Sequence, residues 1–273
     1  MAHEARRGIE FARPGGTPLT GDLYVPAGAN RCPVVVSVHG GGWQLGVAGM
    51  HAHWGAWLAD RGIALFSINY RLAAEGRKAY PEAVHDVRAA IQYVKRNAGE
   101  LKLDPERVAL FGDSAGGHLA ALVALAGDKP PFRDENGSTR VKAMVGVYGV
   151  YDLAGQWNHD LPDRPLDNIA AKFLGVPLYE DRRVYFEASP ISWATRDNNQ
   201  TAFLLAWGTE DDTVDAQTNS QAFLLALKQA GYFARPAVLQ GAPHFWNTEP
   251  FDEPGSFSGF LAPRVLRFLQ EKL

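Results

Sequence analysis

A serine stands between glycines in the segment Gly112–Gly117, which reads GDSAGG. The apolar run Val108–Phe111 before it predicts a strand, and the small, apolar residues of Ser114–Gly127 predict a buried helix. A tight strand-to-helix turn with flanking glycines lifts a serine hydroxyl above a sheet, where it can attack a carbonyl carbon. Alone, the pattern is more often a serine that caps a helix. The strand and helix around it favour a nucleophilic role for Ser114.

A second glycine-rich segment, His39–Trp43 (HGGGW), directly follows the predicted strand Val34–Val38. Consecutive glycines leave backbone N–H groups free to point into a cavity, as an oxyanion hole requires. The alternatives are a flexible loop or a phosphate-binding turn, but the segment lacks the Lys-Ser/Thr pair of a P-loop and the spacing of a dinucleotide fingerprint. Because GDSAGG lies downstream in the expected order, we favour the oxyanion hole.

A serine nucleophile needs a general base, and the chain has eight histidines. His244 follows the last predicted strand, Ala237–Gln240, on a loop before a C-terminal helix, and we predict that it is the base. His39 belongs to the glycine segment. His51 and His53 are two residues apart, so their side chains diverge on a helix and do not favour a metal pair. His85 and His118 are predicted to lie within helices, His3 in the N-terminal tail and His159 beside the pocket.

Three acidic residues, Asp211, Asp212 and Asp215, come directly after the predicted strand Ala202–Trp207. One of them would orient the base, so the order along the chain becomes Ser, Asp, His, as in the α/β-hydrolase arrangement. The residues alone do not choose among the three, since a solvated acidic turn accounts for at least two of them.

Strand and helix patterns alternate along the chain. Further apolar runs at Ile63–Ile68 and Met144–Tyr148 predict strands buried on both faces, and Pro81–Asn97 has its apolar positions on one helical face. Gln217–Ala230 and Pro263–Leu273 are amphipathic. The alternation predicts an α/β fold with a mostly parallel, doubly wound sheet.

Two segments interrupt this alternation. Lys129–Arg140 is polar and contains Pro and Gly, which is typical of a surface loop. Residues 151–199 lie between two late strands and carry several aromatic residues and a short helical pattern at Ile169–Leu174. We therefore predict one domain over residues 1–273, with 151–199 as a lid or substrate-pocket insertion.

Composition excludes several classes of protein. The chain has 273 residues, of which 46% are hydrophobic and 21% charged. Its formal net charge is −3, so it lacks the excess positive charge that binds nucleic acid or an anionic membrane. Its single cysteine, Cys32, excludes an intrachain disulfide and any zinc site with two thiolates. The N-terminus lacks the apolar region of a secretory signal, and no apolar stretch reaches the ~18 residues of a membrane helix. These features lead us to expect a cytoplasmic protein without stable membrane insertion.

The chain resembles α/β-hydrolases of the carboxylesterase type, close to the bacterial esterase/lipase group that shares HGGGW and GDSAGG with hormone-sensitive-lipase relatives. The similarity extends over nearly the whole chain and is greatest to the small feruloyl- and acetyl-esterase-like branch. It is carried by DLYVP at 22–26, SINYRL at 67–72, YPEAVHDV at 80–87 and GDSAGGHLA at 112–120.

The resemblance implies a role for each site residue. Ser114 would be the nucleophile and His244 the base, and the family pattern G-x-x-D-x-x-V matches Gly208, Asp211 and Val214, which favours Asp211 as the acid. The oxyanion hole would comprise the N–H groups of three residues: Gly41, Gly42 and Ala115. The sequence departs from the family pattern in two places. Pro243 and Phe245 flank His244 where relatives often have glycines, and Asp215 stands where a proline is common.

The implied activity is hydrolysis of small-to-medium, partly apolar or aryl carboxylic esters, without a metal, nucleotide or flavin cofactor. Four aromatic residues are candidates for substrate binding, although core packing explains each equally well: Trp43, Trp157, Phe245 and Trp246. One alternative is an arylformamidase, which hydrolyses an amide, and a more remote one is an inactive hydrolase-fold module that only binds a ligand. The expected partner is a small-molecule ester. Pairing into a homodimer through an edge strand or the C-terminal helix stays open.

Overall fold

Eight strands form one sheet in the computed structural model, which describes residues 3–273. The strands are β1 His3–Ala12, β2 Leu19–Pro26, β3 Cys32–Val38, β4 Ala64–Ile68, β5 Leu103–Asp113, β6 Ala143–Val147, β7 Ala202–Gly208 and β8 Ala234–Leu239. Their order across the sheet is β1-β2-β4-β3-β5-β6-β7-β8. β2 pairs antiparallel with both β1 and β4, and all other pairs are parallel.

Helices cover both faces of this sheet. They are α1 Ala52–Ala59, α2 Glu82–Arg96, α3 Ala115–Ala126, α4 Leu153–Asp160, α5 Ile169–Leu174, α6 Arg182–Ala188, α7 Ala222–Gln229 and α8 Phe257–Lys272. Successive side chains of a strand point to opposite faces. In β3, Val34 and Val36 therefore pack with α2 and α3, whereas Val35 packs with α1 and α8. The central strands are apolar throughout because both faces are covered. The predicted α/β fold with a mostly parallel sheet is confirmed.

The structure differs from the sequence prediction in three places. The sequence pattern does not predict β1 or β2. β1 is a largely exposed edge strand with little apolar pattern, and it contains His3, which the sequence pattern places in a tail. α8 begins at Phe257, six residues before the predicted start, because Ser256 caps it by accepting a hydrogen bond from Gly259 N. A π-helical turn, Gln217–Gln221, precedes α7.

Residues 151–199 join β6 to β7 and contain α4, α5 and α6. Asp152 caps α4 by accepting from Ala154 N and Gly155 N. Asn168 caps α5, which ends at Gly175 in the left-handed conformation. These capping residues explain where α4 and α5 begin. No helix in the described part of the chain combines the length and apolarity needed to cross a membrane.

The two edges of the sheet are β1 and β8. β1 exposes charged side chains along most of its length, among them Glu4, Arg6, Arg7 and Glu10. β8 contains Pro236, which has no backbone N–H. Each edge strand therefore carries a feature, exposed charge on β1 and a proline on β8, that makes it a poor partner for a further strand.

Substitution of Gly116 by alanine should strongly destabilise the fold. A Cβ at this position in α3 would lie 2.0 Å from the carbonyl oxygen of Val38 and 2.5 Å from that of His39. Both are backbone atoms, so the helix would have to move away from β3, at a cost of about 3 kcal/mol or more. Gly99→Ala is the matched control, because that Cβ meets no atom within 4 Å. Urea unfolding of both variants measures the difference, and equal stability would contradict the prediction.

Candidate active site

Ser114 lies at the turn between β5 and α3 in a backbone conformation that is rare for a residue with a side chain, φ 50° and ψ −121°. The turn is held on both sides, since Ser114 N donates to Val147 O at 2.9 Å and Ser114 O accepts from His118 N at 3.0 Å. The residue is 9% exposed. The sharp turn therefore presents one hydroxyl at the carboxyl end of β5.

A chain of hydrogen bonds joins Ser114, His244 and Asp211. His244 Nε2 lies 3.1 Å from Ser114 Oγ, and His244 Nδ1 lies 2.7 Å from Asp211 Oδ2. A carboxylate oxygen only accepts, so Nδ1 carries the proton and Nε2 is free to accept from the serine hydroxyl. The structure thus brings together the three residues predicted as nucleophile, base and acid, in the tautomer that a base requires.

The geometry distinguishes Asp211 from the neighbouring acids. Its side chain is 1% exposed, and its second oxygen, Oδ1, accepts from Thr213 N at 3.0 Å and from Val214 N at 2.9 Å. Asp212 is exposed, and its carboxylate accepts from the Thr213 hydroxyl at 3.3 Å. Asp215 accepts from Thr218 N at 2.8 Å. Only Asp211 of the three contacts the imidazole.

Two aromatic rings enclose the imidazole of His244. The ring of Tyr148 lies 4.3 Å from it and that of Phe245 4.4 Å, measured between centroids. Tyr148 follows β6 with φ 36°, and its hydroxyl accepts from Asn247 N at 3.1 Å. Tyr148 is not predicted as a site residue, since the only signal at this position is the end of a predicted strand.

The glycine segment runs beside the nucleophile. Gly41 has φ 112°, and a Cβ there would lie 2.2 Å from Leu45 O, so only glycine fits. Gly40 N donates to Asp113 Oδ1 at 3.0 Å. Gly41 and Gly42 line the cavity above Ser114, together with Ala115 at the start of α3, whose N–H has no acceptor within the helix.

Buried histidines brace this segment from behind. His39 donates from Nδ1 to Gly40 O at 2.7 Å and stacks on Tyr70 with centroids 4.5 Å apart. Burial lowers the pKa of His39 to about 4, so its ring is neutral at pH 7. His51 contacts Asp113 Oδ1 through Nε2 at 2.9 Å, which holds the carboxylate that accepts from Gly40.

A cavity of about 650 Å³ opens over Ser114 and His244. Of the four predicted substrate-binding aromatics, it contains Trp43 and Phe245. Trp157 instead lines a neighbouring groove of about 980 Å³. Trp246 is 1% exposed, packs against Tyr148 and Phe257, and lines neither space. The expectation of a substrate contact at Trp246 is corrected, because the loop after His244 turns this ring into the core.

The outer wall of the cavity is charged, which the sequence analysis did not predict. α4, α5 and the loops beside them contribute most of these side chains: Asp160, Asp163, Asp167, Asp212, Arg164 and Lys172. Lys172 pairs with Asp167. His159 also lines the cavity, as expected, and its Nε2 donates to Asp212 O at 2.9 Å. The cavity wall therefore combines apolar side chains with exposed charged ones.

Stability should fall as the solution becomes acidic, because His39 and His118 are buried in neutral form. Burial lowers the pKa of each to about 4, against about 6.5 in the unfolded chain. Between these values the unfolded state binds more protons, so their contribution is complete above about pH 6.5 and is lost as the pH falls towards about 4.

At about pH 5 each histidine should lower the free energy of unfolding by roughly 2 kcal/mol relative to pH 7. Urea unfolding at both pH values measures this change. His118→Gln removes one titrating group and should show a smaller pH dependence than the parent chain; an unchanged dependence would argue against the prediction.

Comparison with known proteins finds relatives that are named as esterases. It is 32% identical over 245 residues to "Probable carboxylic ester hydrolase LipM" of Mycobacterium tuberculosis, an alignment that covers 88% of this chain and 54% of LipM. Esterase LipQ of the same organism is 32% identical over 226 residues, 80% of this chain and 52% of LipQ. The chain therefore spans about half the length of the curated relatives it matches.

A solved structure extends the likeness to the fold. The thermophilic esterase Est2 of Thermogutta terrifontis, in a structure with propionate bound, superposes with a TM-score of 0.74 and 25% identity, covering 99% of this chain and 93% of that one. The family model BD-FAE matches residues 21–227, which include β3, the GDSAGG turn and Asp211. This match, together with the eight-stranded sheet, shows that the chain belongs to the BD-FAE family of α/β-hydrolases.

Proposed function

We propose that this chain is a serine carboxylesterase that hydrolyses small-to-medium carboxylic esters. The observation that carries the proposal is the hydrogen-bonded chain Ser114–His244–Asp211 at the base of an open cavity. Relatives of this chain are named as an ester hydrolase and an esterase, which supports an ester as the bond that is cleaved.

The proposed reaction begins when His244 Nε2 takes the Ser114 proton and Oγ attacks the ester carbonyl carbon. Asp211 keeps the proton on Nδ1 and stabilises the imidazolium that forms. The imidazolium then protonates the leaving alcohol, which departs and leaves an acyl-serine. Water, deprotonated by the same imidazole, hydrolyses the acyl-serine and restores Ser114. No cofactor takes part in these steps.

The negative oxygen of the tetrahedral intermediate would be bound by backbone N–H groups of Gly41, Gly42 and Ala115. Their position beside Ser114 in the cavity supports this assignment. The start of α3 adds the positive end of a helix dipole at the same place. A donor of this kind contributes roughly 3 kcal/mol to the stability of the transition state.

We further propose that residues 151–199 form the substrate-pocket insertion of a single domain. α4 and α5 supply much of the cavity wall, including its charged opening. The wall also carries apolar side chains, with Leu45, Val150 and Phe245. This mixed lining favours a compact, partly apolar or aryl ester and tolerates polar groups on the substrate.

Hydrolysis of p-nitrophenyl esters from acetate to decanoate tests the function. We expect turnover that is highest for short acyl chains and falls as the chain outgrows the cavity. If a folded protein hydrolyses none of them, the esterase proposal fails. N-formylkynurenine is the comparison substrate, and cleavage of this formamide without ester hydrolysis would indicate an arylformamidase. Stoichiometric binding without turnover of either would indicate a ligand-binding module.

A further inference from the structure

His118 lies one turn after Ser114 on α3 and is fully buried. It lines neither the cavity nor the neighbouring groove, and it takes no part in the proposed reaction. Both of its ring nitrogens nevertheless have partners. Trp43 Nε1 lies 3.1 Å from Nδ1, and Ala188 O lies 2.8 Å from Nε2.

These two partners fix the protonation of the ring. An indole N–H only donates and a carbonyl oxygen only accepts, so Nδ1 must be bare and Nε2 must carry the proton. A protonated imidazole could not accept from Trp43. Burial lowers the pKa of His118 to about 4, which keeps the ring neutral at pH 7.

The partners belong to two different parts of the site. Trp43 ends the glycine segment, directly after Gly42, whereas Ala188 is the last residue of α6 in the insertion. Phe173 of α5 completes the cluster, since its ring stacks on Trp43 at 4.6 Å and meets His118 edge to face at 5.3 Å. The imidazole therefore connects the nucleophile helix, the glycine segment and the insertion.

Trp43 needs such a connection. It has φ 59°, a left-handed conformation that is uncommon for a residue with a bulky side chain and is kept only when its surroundings hold it. Its backbone oxygen is held by Ala73 N at 2.8 Å, and its ring by His118 and Phe173. Release of the indole would let the backbone of Trp43 relax. The peptide that joins it to Gly42 would then shift, and the Gly42 N–H would lose its fixed direction.

We propose that neutral His118 is a positioning residue that sets the direction of the oxyanion-hole N–H groups by accepting a hydrogen bond from Trp43. This inference rests on the proposed esterase function, because it assigns those N–H groups a part in the reaction. It predicts that the Trp43 hydrogen bond affects kcat, whereas the Ala188 hydrogen bond affects mainly stability.

Two substitutions of His118 each remove one of the two hydrogen bonds and keep the other. Asn has its amide oxygen as many bonds from Cα as His Nδ1, so His118→Asn keeps an acceptor for Trp43. Gln has its amide nitrogen as many bonds from Cα as His Nε2, so His118→Gln keeps the donor to Ala188. Each variant loses one buried hydrogen bond, and urea unfolding should show comparable destabilisation.

The kinetic results should differ. With p-nitrophenyl acetate, we expect His118→Gln to lower kcat about tenfold to a hundredfold with KM nearly unchanged. Complete loss of an oxyanion-hole donor lowers kcat by about 10²- to 10³-fold, and a misdirected donor should have a smaller effect. His118→Asn should stay within about threefold of the parent kcat. Trp43→Phe, which keeps an aromatic ring but lacks the N–H, should match His118→Gln, and combining the two should lower kcat no further.

Equal kcat values for the Asn and Gln variants would overturn the inference, as would an unchanged kcat in Trp43→Phe. If neither His118 variant folds, Trp43→Phe still decides the question. An inactive parent chain would instead refute the proposed function, so the two failures are distinguishable.

Discussion

Replacement of Ser114 by alanine is expected to lower kcat for p-nitrophenyl acetate by about 10⁶-fold, since loss of a serine nucleophile has an effect of this size. The protein should remain folded, because the hydroxyl makes its only hydrogen bond among the described residues with His244. Ser138→Ala is the matched control. That serine is exposed on the 129–140 loop, where it donates to Asp128, and its removal should leave kcat unchanged.

A reactive phosphonate ester gives an independent readout of the same residue. We expect one equivalent to attach to the Ser114 peptide, as identified by mass spectrometry, and none to attach in Ser114→Ala. Substantial hydrolysis by the alanine variant, or labelling at another residue, would contradict the assignment of Ser114.

Substitution of Asp211 by asparagine should lower kcat by about 10⁴-fold. The amide would turn its N–H₂ towards His244 Nδ1, since its oxygen is already bound to the amides of Thr213 and Val214. This favours the imidazole tautomer with the proton on Nε2, which cannot accept from Ser114. Catalysis would fall although the residues remain in place.

Asp212→Asn is the control for this change, because it alters the same charge one residue away. Asp212 is exposed and does not contact His244, so kcat should change by less than about threefold. Equal losses in both variants would mean that the negative charge of the turn, rather than the Asp211–His244 hydrogen bond, supports the reaction.

The fold was predictable where a strand or helix has a simple environment. β3, β4, β6 and β7 are buried on both faces, and their continuous apolar runs were recognised. β1 was not recognised, because an edge strand is stabilised by pairing with β2 more than by its own side chains.

The candidate site was predictable where local backbone chemistry fixes a residue. Ser114 and Gly41 require particular turns, and glycine patterns reveal such turns. The choice of Asp211 over Asp212 came from family resemblance, since it depends on which carboxylate faces a histidine 33 residues away. The burial of Trp246 depends on long-range packing that sequence spacing does not encode.

The charged edge strand β1 has a consequence for the behaviour of concentrated protein. An exposed strand edge can recruit another strand, which leads to fibres or edge-paired dimers. On β1 a second chain would bring its own charges against Arg6, Arg7 and Glu10, and on β8 it would meet Pro236. Both edges thus discourage further strand addition. Self-association, where it occurs, should use helical surfaces and leave the eight-stranded sheet unextended.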